Sequence, residues 1–551
     1  MQNREKIWKV LPKKGRGISE QLALNRNISN LKEFINPPSP EETLNRMFKE
    51  EKILKAETAK AKKLILSAIK GSSPIYIHGD YDADGLCATA ILWEKIYYGL
   101  KYKNCFPYIP NRFSEGYGLS KESVDNIIKT MPDNAPPPLL VTVDCGIVSN
   151  KEVLYAKERK FKVIICDHHQ KGKTLPNADS ILWTDRLCAA GISWILSLQL
   201  ADKSEHSFSN GLDLVSLATI ADVQPLTGYN RSLVKYGLKE LNKLKRAGIK
   251  ALTQVSGITD KKIDVYEVGW IIAPRLNSAG RLENALNSLR LLCAKKLETA
   301  LPIAESLNNL NSERQKLTFS MFEESKNFYS DRRNIVIAKS ASFHEGVIGL
   351  VAGKLVSEFY VPSIVISQKE NVSKGSARSV GKVNIIKFLR NFEKHFESLG
   401  GHPMAAGFSI KNEYLEVFID EVYNSSEKFI KKKDITPELE IDGEISLTEA
   451  NYKLLDFVES LSPFGLGNPE PVFLTKGAEV WQVKKIGKNS DHLRISLKDG
   501  EGDLKNAVAF GFGNFEISPK NRVDIVYTLS ENLWNGRRGL DLKIKDIRKC
   551  K

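Results

Sequence analysis

The spacing of apolar residues first predicts a helical segment near the N-terminus. Between residues 42 and 71, apolar positions recur at steps of seven, seven, four and three, which is the period of one helix face. Gly71 follows this pattern and is a residue type that commonly ends a helix. The pattern predicts a helical lead-in over residues 1–70, with a buried face formed by Met47, Leu54, Ala61, Ile65 and Ala68.

Short apolar runs alternate with a helical pattern between residues 71 and 225. The runs SPIYIHGD, PPPLLVTVDCG and KVIICDHHQ have the composition of buried strands, ILWTD adds a fourth, and LCATAILWEKIYYGLKY is helical in pattern. This alternation predicts a parallel α/β sheet covered by helices. Each of the first three runs ends in aspartate or histidine. Because ligands bind at the carboxyl ends of parallel strands, these residues are expected to share one edge of the sheet.

The patterns in the rest of the sequence predict three further regions. Residues 226–330 carry apolar spacings of three and four and are expected to form a helical connection. RRNIVIAKSA and VPSIVISQK are strand-like, so residues 331–430 are predicted to be a second α/β domain, followed by a linker in FIKKKDITPELEI. Residues 437–551 predict a small β-barrel from the strand patterns VFLTKGAEVWQVKKIG, HLRISLKD, NAVAFGFG, RVDIVYTLSE and GLDLKIKDI.

The composition shows an excess of basic residues and indicates a reducing environment. The chain has 81 Lys and Arg against 66 Asp and Glu, a formal net charge of +15, which favours a polyanionic partner or simply reflects a basic proteome. Seven cysteines without a CxxC pair argue against a disulfide framework or a zinc knuckle and for the cytoplasm. The start MQNREKIWKVLPKKG has no apolar core of the kind found in secretory signals. The sequence contains no run of 18 or more apolar residues, so no membrane-spanning helix is predicted.

The polar strand ends carry the candidate chemistry. Oxygen and imidazole ligands without thiolates suit Mn²⁺ or Mg²⁺. This many carboxylates would hold two ions about 3.5–4 Å apart, bridged by a shared aspartate, an arrangement that hydrolyses phosphodiesters. Taken singly, DADG is more often a turn and HH more often structural, whereas the whole set is harder to dismiss. The set is His78, Asp80, Asp82, Asp84, Asp144, Asp167, His168, His169 and Asp222.

Two cysteines lie beside these candidates. Cys145 and Cys166 could be interpreted as thiolate ligands or as a nucleophile. Both adjoin apolar strand residues, and we interpret them as small core residues.

In this order and spacing, HGDYDADG, VTVDCG and CDHH resemble the first three motifs of the DHH phosphoesterase family, and ADVQPL resembles the fourth. IPNRFSEGYGL, APRLNSAGRL, FHEGVIGLVAGKL, GSARS and GGHPMAAGFSI resemble the RecJ group of that family and its DHH-associated domain. LSPFGLGNPEPVF before a barrel pattern is similar to the oligonucleotide-binding-fold domain of that group. The resemblance therefore covers the chain from about residue 70 onward.

The resemblance implies a fold and an activity. The fold is a parallel-sheet DHH domain over 71–225, a helical connection, a smaller α/β DHH-associated domain and a C-terminal oligonucleotide-binding-fold barrel. The activity is single-stranded-DNA-specific 5′→3′ exonuclease hydrolysis with Mn²⁺ or Mg²⁺, two ions in all, in recombination and repair. Implied partners are single-stranded DNA, a RecQ-type helicase and single-stranded-DNA-binding protein. A monomer without membrane contact is expected.

Two other hypotheses remain beside this one. A DHH phosphodiesterase acting on short oligonucleotides, cyclic dinucleotides or polyphosphate generally lacks a C-terminal barrel, so the tail argues against it. A catalytically inactive scaffold would have lost metal ligands, whereas this sequence keeps them all.

The family motif assigns roles residue by residue. It assigns His78, Asp82 and Asp144 to one metal site and Asp84, Asp144, His168 and Asp222 to the other, with Asp144 bridging. It places His169 at the scissile phosphate, so that Asp144, His168 and His169 form the catalytic set. Asp80 and Asp167 are interpreted as support for the histidines and the loop.

Substrate contacts are expected from basic and glycine-rich segments. Arg112, Arg275 and Arg281 are predicted in loops near the cleft, and GSARS is predicted to be a short loop presenting Ser376 and Arg378 to phosphate. His402 lies in GGHPMAAG, which suits backbone contact with phosphate but also fits a tight turn. The barrel candidates for stacking on bases, which also fit core positions, are Trp481, Phe510, Trp534, Arg537 and Arg538.

Three residues depart from the family pattern without removing a proposed ligand. Phe343 stands where tryptophan is expected before HEG, and Ala377 stands where glycine is usual in GSARS. Gln224 takes the place of an apolar residue between Asp222 and Pro225.

Overall fold

The chain folds into two compact units. A computed structural model describes residues 6–132, 134–201, 207–499, 504–534 and 537–550. One unit, here called the metal unit, holds Asn36–Arg314 together with Pro463–Pro469. The remaining described chain forms the second unit.

The strands in chain order are β1 (Ile7–Val10), β2 (Ile75–Gly79), β3 (Cys105–Tyr108), β4 (Leu139–Val143), β5 (Lys162–Asp167), β6 (Ser180–Trp183), β7 (Val336–Ser340), β8 (Ser363–Ser367), β9 (Val372–Arg378), β10 (Phe396–His402), β11 (Ala405–Lys411), β12 (Glu438–Ile441), β13 (Gly443–Glu444), β14 (Phe473–Ile486), β15 (His492–Lys498), β16 (Leu504–Ala509), β17 (Arg522–Trp534) and β18 (Arg537–Lys549).

The α-helices are α1 (Ile18–Asn25), α2 (Leu31–Ile35), α3 (Pro40–Glu50), α4 (Lys52–Lys70), α5 (Ala83–Glu94), α6 (Lys121–Lys129), α7 (Asn150–Glu158), α8 (Ala189–Gln199), α9 (Leu212–Ala221), α10 (Gly228–Leu241), α11 (Ala247–Val255), α12 (Ala273–Leu282), α13 (Leu286–Cys293), α14 (Leu297–Ser325), α15 (Ile348–Phe359), α16 (Ile385–Leu389), α17 (Asn412–Phe429) and α18 (Tyr452–Ser460). Within the described ranges, no helix is long and apolar enough to cross a membrane.

A parallel sheet forms the centre of the metal unit, as the sequence predicts. Its strand order is β3-β2-β4-β5-β6, and every neighbouring pair is parallel. Every residue of β2 and β4 is buried, which explains their continuous apolar runs. Strand β3 was not predicted, because its CFPY sequence is short and contains proline. The carboxyl ends of β2, β4 and β5 consequently share one edge.

Helices cover this sheet and bury their apolar faces against it. The five apolar positions of the predicted N-terminal helix face are all buried, but the pattern divides at Glu51 into α3 and α4. Helices α5, α8 and α9 are buried along most of their length, which fits their nearly uniform apolar sequences. Complete burial of each large apolar side chain contributes about 1.5–3 kcal/mol. The predicted helical region after residue 226 corresponds to α10–α14.

The second unit contains a mixed five-stranded sheet. Its order is β10-β11-β9-β8-β7, in which only β7 and β8 are parallel. The GSARS segment is part of β9 and not the short loop that its glycine and serines led us to predict. Gly375 is required there, since an added Cβ would lie 2.1 Å from Cζ of Phe408 on the neighbouring strand.

The C-terminal region forms the predicted barrel. Strands β13-β14-β15-β16-β18-β17 are joined in this order, and pairing of β14 with β17 closes the sheet. The expected linker contains strand β12, which pairs in parallel with β1 near the N-terminus. Arg26 reinforces this arrangement through an ion pair of 2.7 Å with Asp442. Residues 6–35 therefore belong with the barrel region, which their polar sequence did not indicate.

Candidate metal centre

The candidate site lies where the central parallel strands end. Strand β2 leads into Asp80 and Asp82, β4 leads into Asp144, and β5 ends on Asp167 just before His168. Because the strands are parallel and adjacent in the order β2-β4-β5, their carboxyl ends bring these side chains to one edge. The expectation of a shared rim is therefore met by the fold.

Local backbone geometry positions the first carboxylates. Asp82 begins helix α5 by accepting hydrogen bonds from the amides of Asp84 and Gly85, at 2.9 and 3.2 Å. Gly85 packs so closely that an added Cβ would lie 2.6 Å from the backbone nitrogen of Asp80. Asp144 adopts a left-handed conformation with φ of 63°, which aspartate tolerates better than most residues that carry a side chain.

Three carboxylates surround one histidine nitrogen. Nε2 of His168 lies 3.2 Å from Oδ1 of Asp144, 3.6 Å from Oδ2 of Asp84 and 3.7 Å from Oδ2 of Asp222. Asp222 reaches this position from the C-terminal end of helix α9. The arrangement brings together all four residues that the family motif assigned to one metal site.

A second group of carboxylates shares Asp144. Ligand atoms of Asp80, Asp82 and Asp144 lie within 4.8 Å of one another. Asp80 thus belongs to this group by distance, although we interpreted it as a supporting residue. His78 is fully buried on β2, and its Nε2 has no hydrogen-bond partner among the described residues. Asp144 is common to the two groups, and its predicted role as a bridging ligand stays a prediction.

The carboxylates share an environment that disfavours their charges. Burial raises the pKa of Asp84 to about 8, and the negative charges of Asp222 and Asp82 act in the same direction. Burial raises the pKa of Asp222 to about 6, against a hydrogen bond from Gln224. Burial and then the neighbouring carboxylates, Asp84 first, hold the pKa of Asp144 well above its usual range. A bound cation would relieve this repulsion.

The histidines differ in protonation. Burial lowers the pKa of His78 to about 4, and burial together with the charge of His169 lowers that of His168 to about 4. Burial is the largest single effect on His169 and opposes its charge, but the hydrogen bond of 2.7 Å to Asp167 and the negative charges of Asp167, Asp222 and Asp84 together outweigh burial and raise the pKa to about 9. His78 and His168 are therefore neutral near pH 7, as metal ligands must be, and His169 is a cation.

The donor set fits hard divalent cations. It combines clustered carboxylates with neutral imidazoles. The sulfur of the buried Cys145 lies 3.7 Å from Nδ1 of His78. Burial raises the pKa of the Cys145 thiol, so the thiolate that a zinc site would need is disfavoured. Cys166 is likewise buried, in agreement with its interpretation as a core residue.

Asp167 serves the loop rather than the ion groups. Its carboxylate accepts hydrogen bonds from the amides of His168 and His169 at 2.7 and 3.1 Å, and from the amide of Ile147 at 2.9 Å. Burial alone would raise the pKa of Asp167, but these bonds and the contact with His169 hold it below its usual value. The geometry supports the role in orienting histidines that we expected.

Two residues near the centre were missed from the sequence. The Tyr117 hydroxyl lies 3.2 Å from Nε2 of His169 and 3.2 Å from the carbonyl oxygen of Asp144. Gln224 donates to Asp222 at 2.7 Å, and its Nε2 lies 3.3 Å from Nδ1 of His168. The only available signals were the EGYGL motif for Tyr117 and the replacement of an apolar residue for Gln224.

The predicted arginines occupy different positions. Arg112 lies in a loop after β3, with its guanidinium carbon 5.2 Å from the centre of the Tyr81 ring beside the Asp80–Asp82 turn. Arg275 and Arg281 lie on helix α12, so their prediction as loop residues was wrong. Arg275 donates to Asn308 on helix α14 at 3.0 Å and to the backbone carbonyl of Ile271, four residues earlier, at 2.7 Å.

The predicted phosphate contacts of the second unit lie on strands β9 and β10. Arg378 donates to the hydroxyl of Ser376 at 3.1 Å, because residues two apart share one face of β9. Both side chains lie close to the start of helix α15, where a Cβ on Gly349 would be 2.8 Å from Arg378. His402 is exposed at the end of β10, in the hairpin that leads to β11.

The barrel candidates differ in accessibility. Trp481 is 55% exposed with Nζ of Lys498 located 5.0 Å from its ring centre, and Phe510 is 58% exposed. Arg538 forms ion pairs of 2.6 Å with both Asp456 and Glu531, so it is engaged within the unit. The side chains of Trp534 and Arg537 lie outside the described part of the chain.

Comparison with known proteins identifies the family of this chain. Family models match residues 74–219 as the N-terminal domain of the DHH family, 332–431 as the DHHA1 domain and 441–546 as the RecJ OB domain. The chain is 32% identical to the single-stranded-DNA-specific exonuclease RecJ of Thermus thermophilus, over 88% of this chain and 70% of that protein. The chain belongs to the RecJ family.

Other RecJ proteins extend this result. The RecJ of Bacillus subtilis is 34% identical over 88% of the chain, which spans 62% of that longer protein. A crystal structure of Thermus thermophilus RecJ in complex with Mn²⁺ is 28% identical and superposes with a TM-score of 0.84 over all of this chain and 80% of that one. These matches confirm the predicted family and the fold class of DHH domain, DHH-associated domain and oligonucleotide-binding barrel.

Proposed function

We propose that this RecJ-family protein is an exonuclease that hydrolyses single-stranded DNA from its 5′ end and releases 5′-mononucleotides. The observation that carries the proposal is the arrangement of Asp84, Asp144 and Asp222 around Nε2 of His168, beside a second carboxylate group that shares Asp144. Buried carboxylates in this number need cations, and the RecJ relatives act on single-stranded DNA. We place this activity in recombination and repair.

The proposed ion ligands fall into two sets that meet at Asp144. The groups around His168 would hold one ion of Mn²⁺ or Mg²⁺, while Asp82 with Asp80 or His78 would hold a second. When bound, such ions activate water and stabilise negative charge on a phosphoryl oxygen. The protein's contribution is to fix these oxygens at the ends of buried strands.

His169 provides a fixed positive charge beside the ion groups. Its Nδ1 is bonded to Asp167, whose carboxylate favours the protonated ring and, against burial, helps to raise its pKa to about 9 in the absence of bound cations. We propose that the Nε2–H group of His169, which lies 3.2 Å from the Tyr117 hydroxyl, donates instead to the scissile phosphate when substrate is bound, while the bond from Nδ1 to Asp167 orients the ring. The imidazolium would lower the barrier by stabilising charge that develops on the phosphate.

Selection of the 5′ end requires donors that recognise a terminal phosphate. We propose that Ser376 and Arg378, which share one face of β9, bind this phosphate with His402 of the adjoining hairpin. A terminal phosphate carries more charge than an internal diester and offers more acceptor oxygens. Arg112 and Arg281 are proposed to contact the chain near the ions, whereas the internal bonds of Arg275 favour a structural role.

Single-strand binding is proposed to involve the barrel. Trp481 with its neighbouring Lys498 and the exposed Phe510 provide flat apolar surfaces of the kind on which bases stack. The match of this region to the RecJ OB domain supports the assignment. It also argues against the alternative of a phosphodiesterase specific for short oligonucleotides or cyclic dinucleotides.

The cellular context is proposed from the free cysteines and from the family of the chain. The seven cysteines are free, which agrees with a reducing cytoplasm. A RecQ-type helicase would supply single strands, and single-stranded-DNA-binding protein would deliver them. We propose that the protein acts as a monomer.

The proposal is tested by digestion of end-labelled DNA in Mn²⁺. The substrates are a single strand with a 5′-phosphate, the same strand with a 5′-hydroxyl and a blunt duplex. We expect digestion rates in that order, with mononucleotides released from the 5′ label first and little loss of duplex. Release that begins at the 3′ label would refute the proposed direction, and cleavage restricted to di- or trinucleotides would favour the alternative.

A further inference from the structure

A short segment from the C-terminal part of the chain forms part of the metal unit. Pro463–Pro469 follows helix α18 in sequence but packs with Asn36–Arg314. Its Leu466 carbonyl accepts a hydrogen bond of 2.7 Å from the amide of Leu226, four residues after Asp222. We call Pro463–Pro469 the brace segment.

The brace segment is a tight, internally fixed turn. The backbones of Gly465 and Asn468 exchange hydrogen bonds of 2.9 and 3.1 Å. The side chain of Asn468 is fully buried and donates to the carbonyl of Pro463 at 2.9 Å. Nη1 of the buried Arg231, on helix α10, lies 3.5 Å from the same carbonyl. The turn is therefore held both internally and against the metal unit.

The segment that it contacts begins at a proposed metal ligand. Asp222 ends helix α9, and the next residue, Val223, adopts φ of 55° although its side chain is β-branched. This conformation is unfavourable for valine, so surrounding contacts must maintain it. Gln224 then contacts both Asp222 and His168, which makes the strained turn part of the support of the ion group.

The fit between the brace segment and this turn is close. A Cβ on Gly467, whose φ is 78°, would lie 3.2 Å from Cγ2 of Thr227 and 3.4 Å from Cβ of Pro225. A Cβ on Gly465 would lie 2.7 Å from Cδ1 of the buried Leu226. A side chain at Gly465 would therefore displace Leu226, and one at Gly467 would press on Thr227 by a few tenths of an ångström.

We propose that the brace segment is a positioning element for Asp222. It holds residues 225–227, which keeps the turn at Val223 in its strained conformation and the Asp222 carboxylate beside His168. The consequence is that sequence C-terminal to the DHH-associated domain determines ion affinity in the DHH domain. The inference rests on the proposed role of Asp222 as a metal ligand.

The test compares Gly467→Ala with Gly257→Ala in the full chain without DNA. Gly257 is in the same unit and has φ of 70°, but no atom lies within 4 Å of an added Cβ. Both variants therefore add backbone strain, and only Gly467→Ala presses on residues 225–227.

Mn²⁺ binding is measured by electron paramagnetic resonance and thermal unfolding by circular dichroism. We expect Gly467→Ala to weaken one Mn²⁺ site by about tenfold, as loss of ligand support typically does, and Gly257→Ala to leave both sites within about twofold.

The outcomes distinguish the proposed role of the brace segment from the proposed role of Asp222 as a metal ligand. Equal Mn²⁺ affinity in Gly467→Ala and Gly257→Ala would overturn the brace. Asn468→Ala, which removes the bond to Pro463, should also weaken one site, and it decides the question if Gly467→Ala does not fold. If Asp222→Ala binds two Mn²⁺ as tightly as the wild type, the metal assignment itself fails. Weaker binding in Asp222→Ala alone, with both brace variants unchanged, leaves that assignment intact and removes only the brace.

Discussion

At the scale of single residues, the chemistry depends on placing negative charges where they repel. Asp84 and Asp222 have raised pKa values because they are buried beside other carboxylates. Asp144 is additionally held at a positive φ. Folding tolerates these costs because the buried strands and helices around the site are extensive, and a bound cation would offset the repulsion.

Removal of Asp144 tests the shared ligand. Asp144→Ala should lower the rate of hydrolysis in Mn²⁺ by about a hundredfold or more, because each ion bears on charge in the transition state. Thermal stability without metal should change little, since the loss of a buried carboxyl group beside Asp84 and Asp82 offsets the cost of alanine at a positive φ. Asp260→Ala, an exposed aspartate of the same unit, is the control and should retain wild-type activity. More than a tenth of the wild-type rate in Asp144→Ala would refute the bridging role.

The raised pKa values also predict how ion binding depends on pH. Asp84 keeps its proton up to a pKa of about 8 and Asp222 up to about 6, and each proton must leave before the oxygen binds an ion. Affinity for Mn²⁺ should therefore rise by about tenfold or more from pH 6 to pH 8. Titration calorimetry in buffers of different ionisation enthalpy measures the accompanying proton release. Affinity that stays constant over this range, with no proton release, would contradict the assignment.

The sequence was informative about residues whose role follows from strand position. Asp80, Asp82, Asp144 and His168 each follow or end an apolar run, and parallel pairing brings such ends together. Tyr117 comes from a loop whose path depends on tertiary packing. Its contact with His169 was therefore not predictable from the spacing of residues.

At the scale of elements, the period of the apolar residues predicted whether a segment is a helix or a strand better than it predicted where the segment begins and ends. The runs of β2, β4 and β5 are buried on both faces and were recognised as strands. Strand β9 was missed because VSKGSAR has loop-like composition, although alternate residues are buried. Strand β1 was missed because its partner β12 is more than 400 residues away, and the pairing depends on that distant contact.

The corrected position of Arg378 sharpens the test of end recognition. On β9 its guanidinium is held by Ser376 and the Ala377 carbonyl, so it presents a fixed donor rather than a mobile one. Arg378→Ala should reduce the rate on 5′-phosphorylated single strands by about tenfold and shrink their advantage over 5′-hydroxyl strands.

A matched arginine controls for charge in this experiment. Arg333 lies in the same domain, with its guanidinium 3.7 Å from the centre of the Tyr423 ring. Arg333→Ala should leave the preference for a 5′-phosphate unchanged. If Arg378→Ala behaves in the same way, the terminal phosphate is bound elsewhere.

At the scale of the whole molecule, the net charge of +15 predicts that the proposed binding to single-stranded DNA is mainly electrostatic. Affinity of Asp144→Ala for a single strand should persist without catalysis and fall by about tenfold or more between 50 and 200 mM salt, because phosphate contacts release counterions. Fluorescence anisotropy with a labelled oligonucleotide measures this dependence. Affinity that does not change with salt would exclude a mainly electrostatic interaction.

The central claim is that two divalent ions share Asp144 at the carboxyl ends of the parallel strands. Anomalous diffraction from crystals soaked in Mn²⁺ tests it most directly. We predict two peaks about 3.5–4 Å apart, one beside Asp84, His168 and Asp222 and the other beside Asp82, with the Asp144 carboxylate in contact with both. A single peak, or two peaks without contact to Asp144, would contradict the account.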